Sequence, residues 1–168
     1  KEIKSYVSGL TFERGSIPLV TAFTLLSNYI QKRDKPNTGW NYLGVASRMA
    51  VGLGLYKEIE DETKLDQSKD SSSETHLNFE LRRRLWWGLH MLDAGTAITF
   101  GRPSNYPANG NFDIRLPKNL DERGVEVFDA PTIYSGLIEQ TKFSVISLDI
   151  HSKLLSAQPP SSKECLKI

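Results

Sequence analysis

The stretch FELRRRLWWGLHMLDAGTAITFGRP, residues 79–103, sets three arginines beside two tryptophans and places an aspartate within an apolar run. Its apolar positions recur at intervals of three and four residues, the period of one helix face: Leu81, Leu85, Leu89, Leu92 and Thr96. Gly101 and Pro103 follow in the order that usually ends a helix. The stretch therefore predicts a long helix over residues 79–100.

The same periodicity predicts three more helices, over residues 16–34, 39–55 and 132–155. Ser16 is the predicted N-cap of the first and Thr38 of the second. Four glycines between residues 39 and 54 weaken the second helix but allow another backbone to approach it closely, so we expect this helix at the centre of the domain. Strand-type alternation is hard to find. The predicted fold is all-α, with residues 1–168 forming part of one multi-helix domain, a fragment of a longer protein.

Shorter or irregular segments lie around these helices. Residues 2–13 are predicted to end a helix that begins upstream, and residues 164–168 to begin another. Residues 57–76 contain almost no apolar side chains, which predicts a mobile, disordered loop. Residues 104–131 are rich in proline and glycine and are predicted to be extended.

Composition limits the classes of function. The 21 basic and 20 acidic side chains nearly cancel, which argues against direct DNA binding by this segment. The single cysteine, Cys165, cannot form an internal disulfide, and this indicates a reducing compartment. Three scattered histidines offer too few ligands for a zinc site. No apolar run reaches the length of a membrane span, so the segment is expected to be soluble.

The basic triplet of residues 82–84 allows two interpretations. Arginines beside aromatic rings are typical of nucleic-acid contacts. However, successive helix residues point about 100° apart, so these three side chains are expected to spread over the outer surface. Glu80, four residues before Arg84, predicts an ordinary surface ion pair. By the same geometry, one of Trp86 and Trp87 is expected in the core and the other at a second contact surface.

Asp93 follows Leu89 by four residues and Trp86 by seven, which places it on the face expected to be buried. A buried carboxylate needs a partner, and the expected partners are Arg102 or Arg48. The functional alternative is a tuned acid or a ligand anchor. No nearby base, nucleophile or second carboxylate completes a catalytic set, so an internal contact that fixes helix register is favoured. His90 is interpreted as a partly buried hydrogen-bonding residue.

Three blocks in this order carry a family resemblance: A-x-R-M-A-x-x-L-G-L, then R-R-R-L-W-W-x-L-x-x-L-D, then G-R-P. They resemble the middle homology region of fungal zinc-cluster transcription factors. Two further stretches, QKRDKPNTGWN (residues 31–41) and PTIYSGLIE (residues 131–139), bring the resemblance nearest to the activators of galactose genes. The resemblance implies a nuclear transcription regulator whose helical middle region controls domains outside this segment. None of the matching residues is catalytic in that family, and they are interpreted as structural or regulatory: Arg48, Arg84, Trp86, Trp87, Asp93 and Arg102.

The resemblance also implies what these 168 residues lack. The cysteine cluster that binds zinc is missing, so zinc and DNA binding are expected in another domain, and no cofactor is expected here. The implied partners are regulatory proteins or other domains of the same factor, with homodimers in the full-length protein and no membrane contact. Two other hypotheses stay open. One is a small-molecule sensor with a pocket around Trp40, Trp86 and Asp93; the other, least favoured, is a helical enzyme.

Overall fold

The fold is seen in a computed structural model that describes residues 15–59, 72–106, 112–156, 158 and 160–166. It divides into two compact units, Lys1–Lys57 and Glu58–Ile168. The first contains helices α1 (Ile17–Gln31) and α2 (Pro36–Gly52), and the second contains α3 (Ser72–Phe100), α4 (Ser135–Leu154) and the short α5 (Ser162–Cys165). The described residues include one isolated antiparallel bridge, Leu120 to Glu126, and no β-strand. The all-α prediction is confirmed, whereas one domain over the whole chain stays a prediction.

In the first unit, α1 and α2 form a tight pair that crosses at a glycine. A Cβ added to Gly39 would lie 2.9 Å from the Ser27 carbonyl oxygen, so only glycine allows this approach. The Ser27 hydroxyl donates a hydrogen bond of 2.7 Å to the Gly39 carbonyl across the same crossing. Around it the buried apolar side chains are Val20, Phe23, Leu43, Ala46, Met49 and Ala50. The predicted close approach at small residues of the second helix is thus confirmed.

The caps agree with the sequence at one helix and differ at the next. The Ser16 hydroxyl accepts from the Leu19 amide at 3.3 Å, as expected of an N-cap. Thr38 is not the N-cap of α2, because this helix begins at Pro36, after Lys35. Proline suits a first helical position, where its missing N–H would have had no partner. Asp34, with φ of 60°, turns the chain between the two helices.

In the second unit, α3 is longer than predicted. It begins at Ser72, so residues 72–76 are helical and the predicted loop is wrong there. The serines and glutamate at the start of this helix are residue types that suit a helix N-terminus. The rest of the loop, residues 60–71, and the predicted helix over residues 2–13 lie outside the described residues. At its other end α3 stops as expected, with Gly101 at φ of 61°.

Helix α4 packs on α3 through Ala94, Ala97 and Leu148. The connection between the two helices is irregular where it is described, as predicted, and Asn119 organises it. The Asn119 amide nitrogen donates to the carbonyls of Val127 and Ala130, at 2.9 and 3.0 Å. Its oxygen accepts from the hydroxyls of Thr132 and Ser135, at 2.6 and 2.8 Å. One side chain therefore ties the connecting segment to the start of α4. None of the helices described has the apolar length to cross a bilayer.

Candidate functional site

A cluster of charged side chains lies in the first half of α3, with Arg83 at its centre. Arg83 is 4% exposed. Its Nη1 atom lies 2.5 Å from Glu80 Oε1, its Nε atom lies 3.2 Å from Glu58 Oε2, and its Nη2 atom pairs with the other Glu58 oxygen. The expectation that all three arginines serve the outer surface is therefore wrong for Arg83. Two carboxylates that also accept backbone hydrogen bonds compensate the buried charge of Arg83.

The two glutamates hold the connecting segment against α3. Glu58 Oε2 accepts from the Arg115 amide at 2.9 Å, and Glu80 Oε2 accepts from the Lys118 amide at 3.0 Å. Burial raises the pKa of Glu58, but the hydrogen bonds and charges of Arg83 and Arg115 outweigh burial and leave this pKa below its usual value. Conversely, burial lowers the pKa of Arg83, and both glutamates more than reverse that effect.

Arg84 extends this cluster to the start of α4. Its guanidinium carbon lies 3.7 Å from the centre of the Tyr134 ring, which is a close cation–π contact. Its Nη2 atom lies 3.6 Å from Glu80 Oε2. The predicted Glu80–Arg84 pair is confirmed, but the Glu80 carboxylate is buried and the pair is not an ordinary surface pair.

About two turns further along α3, aromatic rings surround His90. Trp86 and Trp87 are 2% and 5% exposed, so the expectation that one tryptophan faces a second contact surface is wrong. Both pack against Phe112, with ring centres 5.9 and 5.6 Å apart. They are about 100° apart on the helix, but Phe112 of the connecting segment contacts both rings. Trp87 Nε1 donates to the Arg115 carbonyl at 2.8 Å.

His90 is buried within this aromatic cluster and hydrogen-bonded to α4, which confirms its interpretation as a hydrogen-bonding residue. Its Nδ1 atom lies 3.0 Å from the Ser144 hydroxyl oxygen. Since that hydroxyl donates to the Thr141 carbonyl at 2.8 Å, Nδ1 carries the hydrogen and donates to Ser144. Burial lowers the pKa of His90 to about 4.

Asp93 is buried as predicted, at 1% exposure, but its described hydrogen bonds come from groups other than an arginine. Its Oδ2 atom lies 2.5 Å from the Ser104 hydroxyl and accepts from the Asn105 amide at 2.9 Å. Its Oδ1 atom accepts from the Asn105 side chain at 2.6 Å. The Asp93 carboxylate thus holds the chain where it leaves α3, because the hydrogen-bond donors of Ser104 and Asn105 all point to this one side chain.

Neither of the arginines expected beside Asp93 is among its described hydrogen-bond partners. Arg48 is exposed on α2, in the first unit. The Arg102 guanidinium carbon lies 5.4 Å from the centre of the Phe100 ring, and the Arg102 carbonyl contacts His151 Nε2 at 3.1 Å. Trp40, expected with Trp86 and Asp93 around a pocket, belongs to the first unit, whereas those two belong to the second.

Several important residues were not identified from the sequence: Glu58, Ser104, Asn105, Asn119 and Ser144. Each is an ordinary polar residue in a polar stretch, and its role depends on a distant partner. The only sequence signal was the set of buried positions on α3, each of which required a partner without specifying it. These contacts build a helical scaffold. Its charged side chains pair with one another and hold the long segment between α3 and α4 in place.

Comparison with known proteins gives this scaffold its class. The family model described as the fungal specific transcription factor domain matches residues 2–167. The chain belongs to this family, and it is a transcription regulatory domain. The resemblance to the middle region of fungal zinc-cluster transcription factors is therefore confirmed.

Three of the relatives are described as regulatory proteins. The chain is 34% identical over 163 residues to the lactose regulatory protein LAC9 of Kluyveromyces lactis. The matched region covers 96% of this chain and 16% of that protein. It is 27% identical over 117 residues to the pyrimidine pathway regulatory protein 1 of Saccharomyces cerevisiae, covering 70% of this chain and 12% of that protein. It is 29% identical over 98 residues to the thiamine repressible genes regulatory protein thi1 of Schizosaccharomyces pombe, covering 58% and 11%. No solved structure matches the chain.

Proposed function

We propose that this domain is the regulatory middle region of a nuclear transcription activator that controls genes of carbon-source use, in particular of lactose or galactose. The observation that carries the proposal is the similarity to the lactose regulatory protein, which covers 96% of the chain at 34% identity. The similarities to the pyrimidine and thiamine regulators cover 70% and 58% of the chain at lower identity. The class of protein supports the nuclear location in this proposal.

In this proposal the domain regulates transcription by adopting alternative packings of its helices, and it has no catalytic role. His90 and Ser144 are hydrogen-bonded, but both are buried, so this pair offers a substrate no access. The connecting segment is held by paired charges from several parts of the second unit. A signal that binds one packing more tightly than another shifts the population of the domain. Such a signal comes from a regulatory protein or from another domain of the same factor.

DNA binding and zinc belong to a domain outside these residues in this proposal. A formal net charge of +1 gives the segment no general attraction for a polyanion. The domain therefore influences transcription through contacts with protein, and the full-length factor binds DNA as a homodimer.

A domain exchange tests the proposal. The matched region of the lactose regulatory protein is replaced by this chain, and transcription of a lactose-responsive reporter is measured with and without lactose in the medium. We expect inducible transcription to be retained. As a control, the same exchange uses the matched region of the thiamine regulatory protein. Equal induction by both exchanges, or loss of induction at normal protein level with this chain, contradicts the assignment to carbon-source genes.

The alternative of a small-molecule sensor has a separate test. Trp86 and Trp87 lie within the aromatic cluster, so a sugar bound there would change tryptophan fluorescence. Titration of the chain with lactose, galactose and glucose is expected to give no saturable change if a protein delivers the signal. A saturable change that the Trp86→Phe variant abolishes would favour the sensor.

A further inference from the structure

Helix α4 has one buried side and a separate exposed side that is apolar. One side packs in the second unit, where Thr141, Ser144 and Leu148 are buried. The other side carries four large side chains in the exposed class: Phe143, Ile146, Ile150 and Leu154, exposed by 71, 59, 37 and 53%. These four residues are spaced by three, four and four positions, so they form a single stripe along the helix.

The stripe is not expected on a helix that faces only water. The solvent-facing side of an amphipathic helix is normally polar, and a continuous exposed apolar patch marks an interaction surface. Ion pairs within the helix flank it, Lys142 with Glu139 and Lys153 with Asp149, each at 2.7 Å. The stripe with these four charged residues is called the α4 face below.

The charges of the α4 face are complementary to themselves about Ile146. Glu139 and Lys153 lie seven residues before and seven residues after Ile146. Lys142 lies four residues before it, and Asp149 three residues after it. Reversing the direction of the helix about Ile146 therefore places each acidic residue against a basic one.

We propose that the α4 face binds a second copy of this chain, with the two α4 helices antiparallel and a two-fold axis at Ile146. In this arrangement Lys142 faces the partner's Asp149, Glu139 faces the partner's Lys153, and Phe143 packs beside the partner's Ile150. A two-fold interface uses one patch on both subunits, as a self-complementary pattern requires. The proposal is independent of which genes the factor controls.

The antiparallel orientation follows from the side of the stripe on which the charges lie. At 100° per residue, Lys142, Asp149 and Lys153 share one edge of the stripe, while Gln140 and Ser147 lie on the other. Antiparallel helices bring like edges together, so these charges meet one another. Parallel helices bring opposite edges together and would set the same charges against neutral side chains. Because one helix pair is a small interface, a reversible dimer is expected.

Crosslinking tests the position of the axis. In a Cys165→Ser background, which removes the exposed native thiol, Ile146→Cys places one thiol per chain at the proposed axis. A short bis-maleimide is expected to join two such chains into a covalent dimer. Val145→Cys is the matched control. Val145 is the sequence neighbour of Ile146 and is 37% exposed, but its side chain points to a different side of the helix. Equal crosslinking of both variants, or none with Ile146→Cys, overturns the proposed geometry.

Sedimentation equilibrium tests the contacts in the intact 168-residue chain. Ile146→Glu is expected to raise the dimer dissociation constant by about 100-fold, because it places two like charges at the axis. Lys142→Glu alone is expected to raise it by about tenfold, and Lys142→Glu with Asp149→Lys to restore most of the affinity. Circular dichroism checks that each variant stays helical. The proposal is overturned if the parent chain is monomeric, or if Ile146→Glu leaves the dimer dissociation constant unchanged. Either result assigns the α4 face to contact with another segment or another protein.

Discussion

Asp93 shows how one buried carboxylate fixes the exit of a helix. Its two oxygens accept hydrogen bonds from the Ser104 hydroxyl and from the backbone and side-chain amides of Asn105. A charged acceptor with three donors needs no cation of opposite sign nearby, because charge-assisted hydrogen bonds replace the lost hydration. The sequence located the buried acid, but only the course of the chain after Arg102 revealed its partners.

Asp93→Asn is expected to lower the free energy of unfolding by about 1–3 kcal/mol, because the new amide turns an N–H₂ group towards a donor. Urea unfolding of the chain, followed by tryptophan fluorescence, measures this loss. Asp149→Asn is the matched control, since it removes a half-exposed carboxylate paired with Lys153, and a change below about 1 kcal/mol is expected. Equal effects of the two variants would contradict the role assigned to Asp93.

His90 makes stability depend on pH. Its pKa is about 4 in the folded protein and 6.5 in a model peptide, because burial disfavours the charged imidazolium. Between these values the unfolded chain binds a proton that the folded chain does not. Stability is therefore fully present above pH 6.5 and decreases as the pH falls towards 4.

The expected loss from this residue is on the order of 3 kcal/mol across that interval. It is measured as the free energy of unfolding at several pH values. His90→Gln keeps a polar side chain but removes the titration, so its stability is expected to vary less over the same interval. A variant with the parent's pH dependence would show that another group causes it.

At the scale of the helices, the crossing of α1 and α2 depends on one missing side chain. A Cβ at residue 39 would lie 2.9 Å from the Ser27 carbonyl oxygen and 3.1 Å from the Gln31 nitrogen, both backbone atoms of α1. Backbone cannot rotate away as a side chain does, so the two helices would have to separate.

Gly39→Ala is expected to lower the thermal midpoint of helix loss measured by circular dichroism, by an amount equivalent to about 1–3 kcal/mol. This is the opposite of the usual effect of alanine in a helix, which is stabilising by about 1 kcal/mol. Gly52→Ala in the same helix is the control, because its Cβ would meet nothing within 4 Å. A raised midpoint for both variants would show that the crossing is looser than described.

At the scale of the second unit, Arg83 joins three segments that are distant in the sequence. Glu58 lies 25 residues before Arg83 in the sequence, and it accepts a hydrogen bond from the amide of Arg115, which lies 57 residues after Glu58. Arg83 and Glu58 together therefore link the segments around residues 58, 83 and 115.

Arg83→Met is expected to destabilise the chain by about 2–4 kcal/mol, since Glu58 and Glu80 lose their closest cation and keep only the longer contacts with Arg115 and Arg84. Adding Glu58→Gln and Glu80→Gln removes those charges and is expected to recover part of the loss. The measurement is chemical unfolding at neutral pH. Glu126→Gln, which breaks the exposed pair with Lys118, is the control and is expected to cost less than about 1 kcal/mol. An Arg83→Met variant as stable as this control would contradict the central role of the charged cluster.

The sequence by itself determined the all-α class, the approximate helices, the glycine contact of α2 and the family, because each depends on short spacings along the chain. The tertiary structure alone decided that Arg83 is buried, that both Trp86 and Trp87 are covered, and that Asp93 binds Ser104 and Asn105. The physical reason is that burial and pairing depend on which distant segment folds over a helix face. A helical period shows which residues share a face, but it carries no information about what will cover that face.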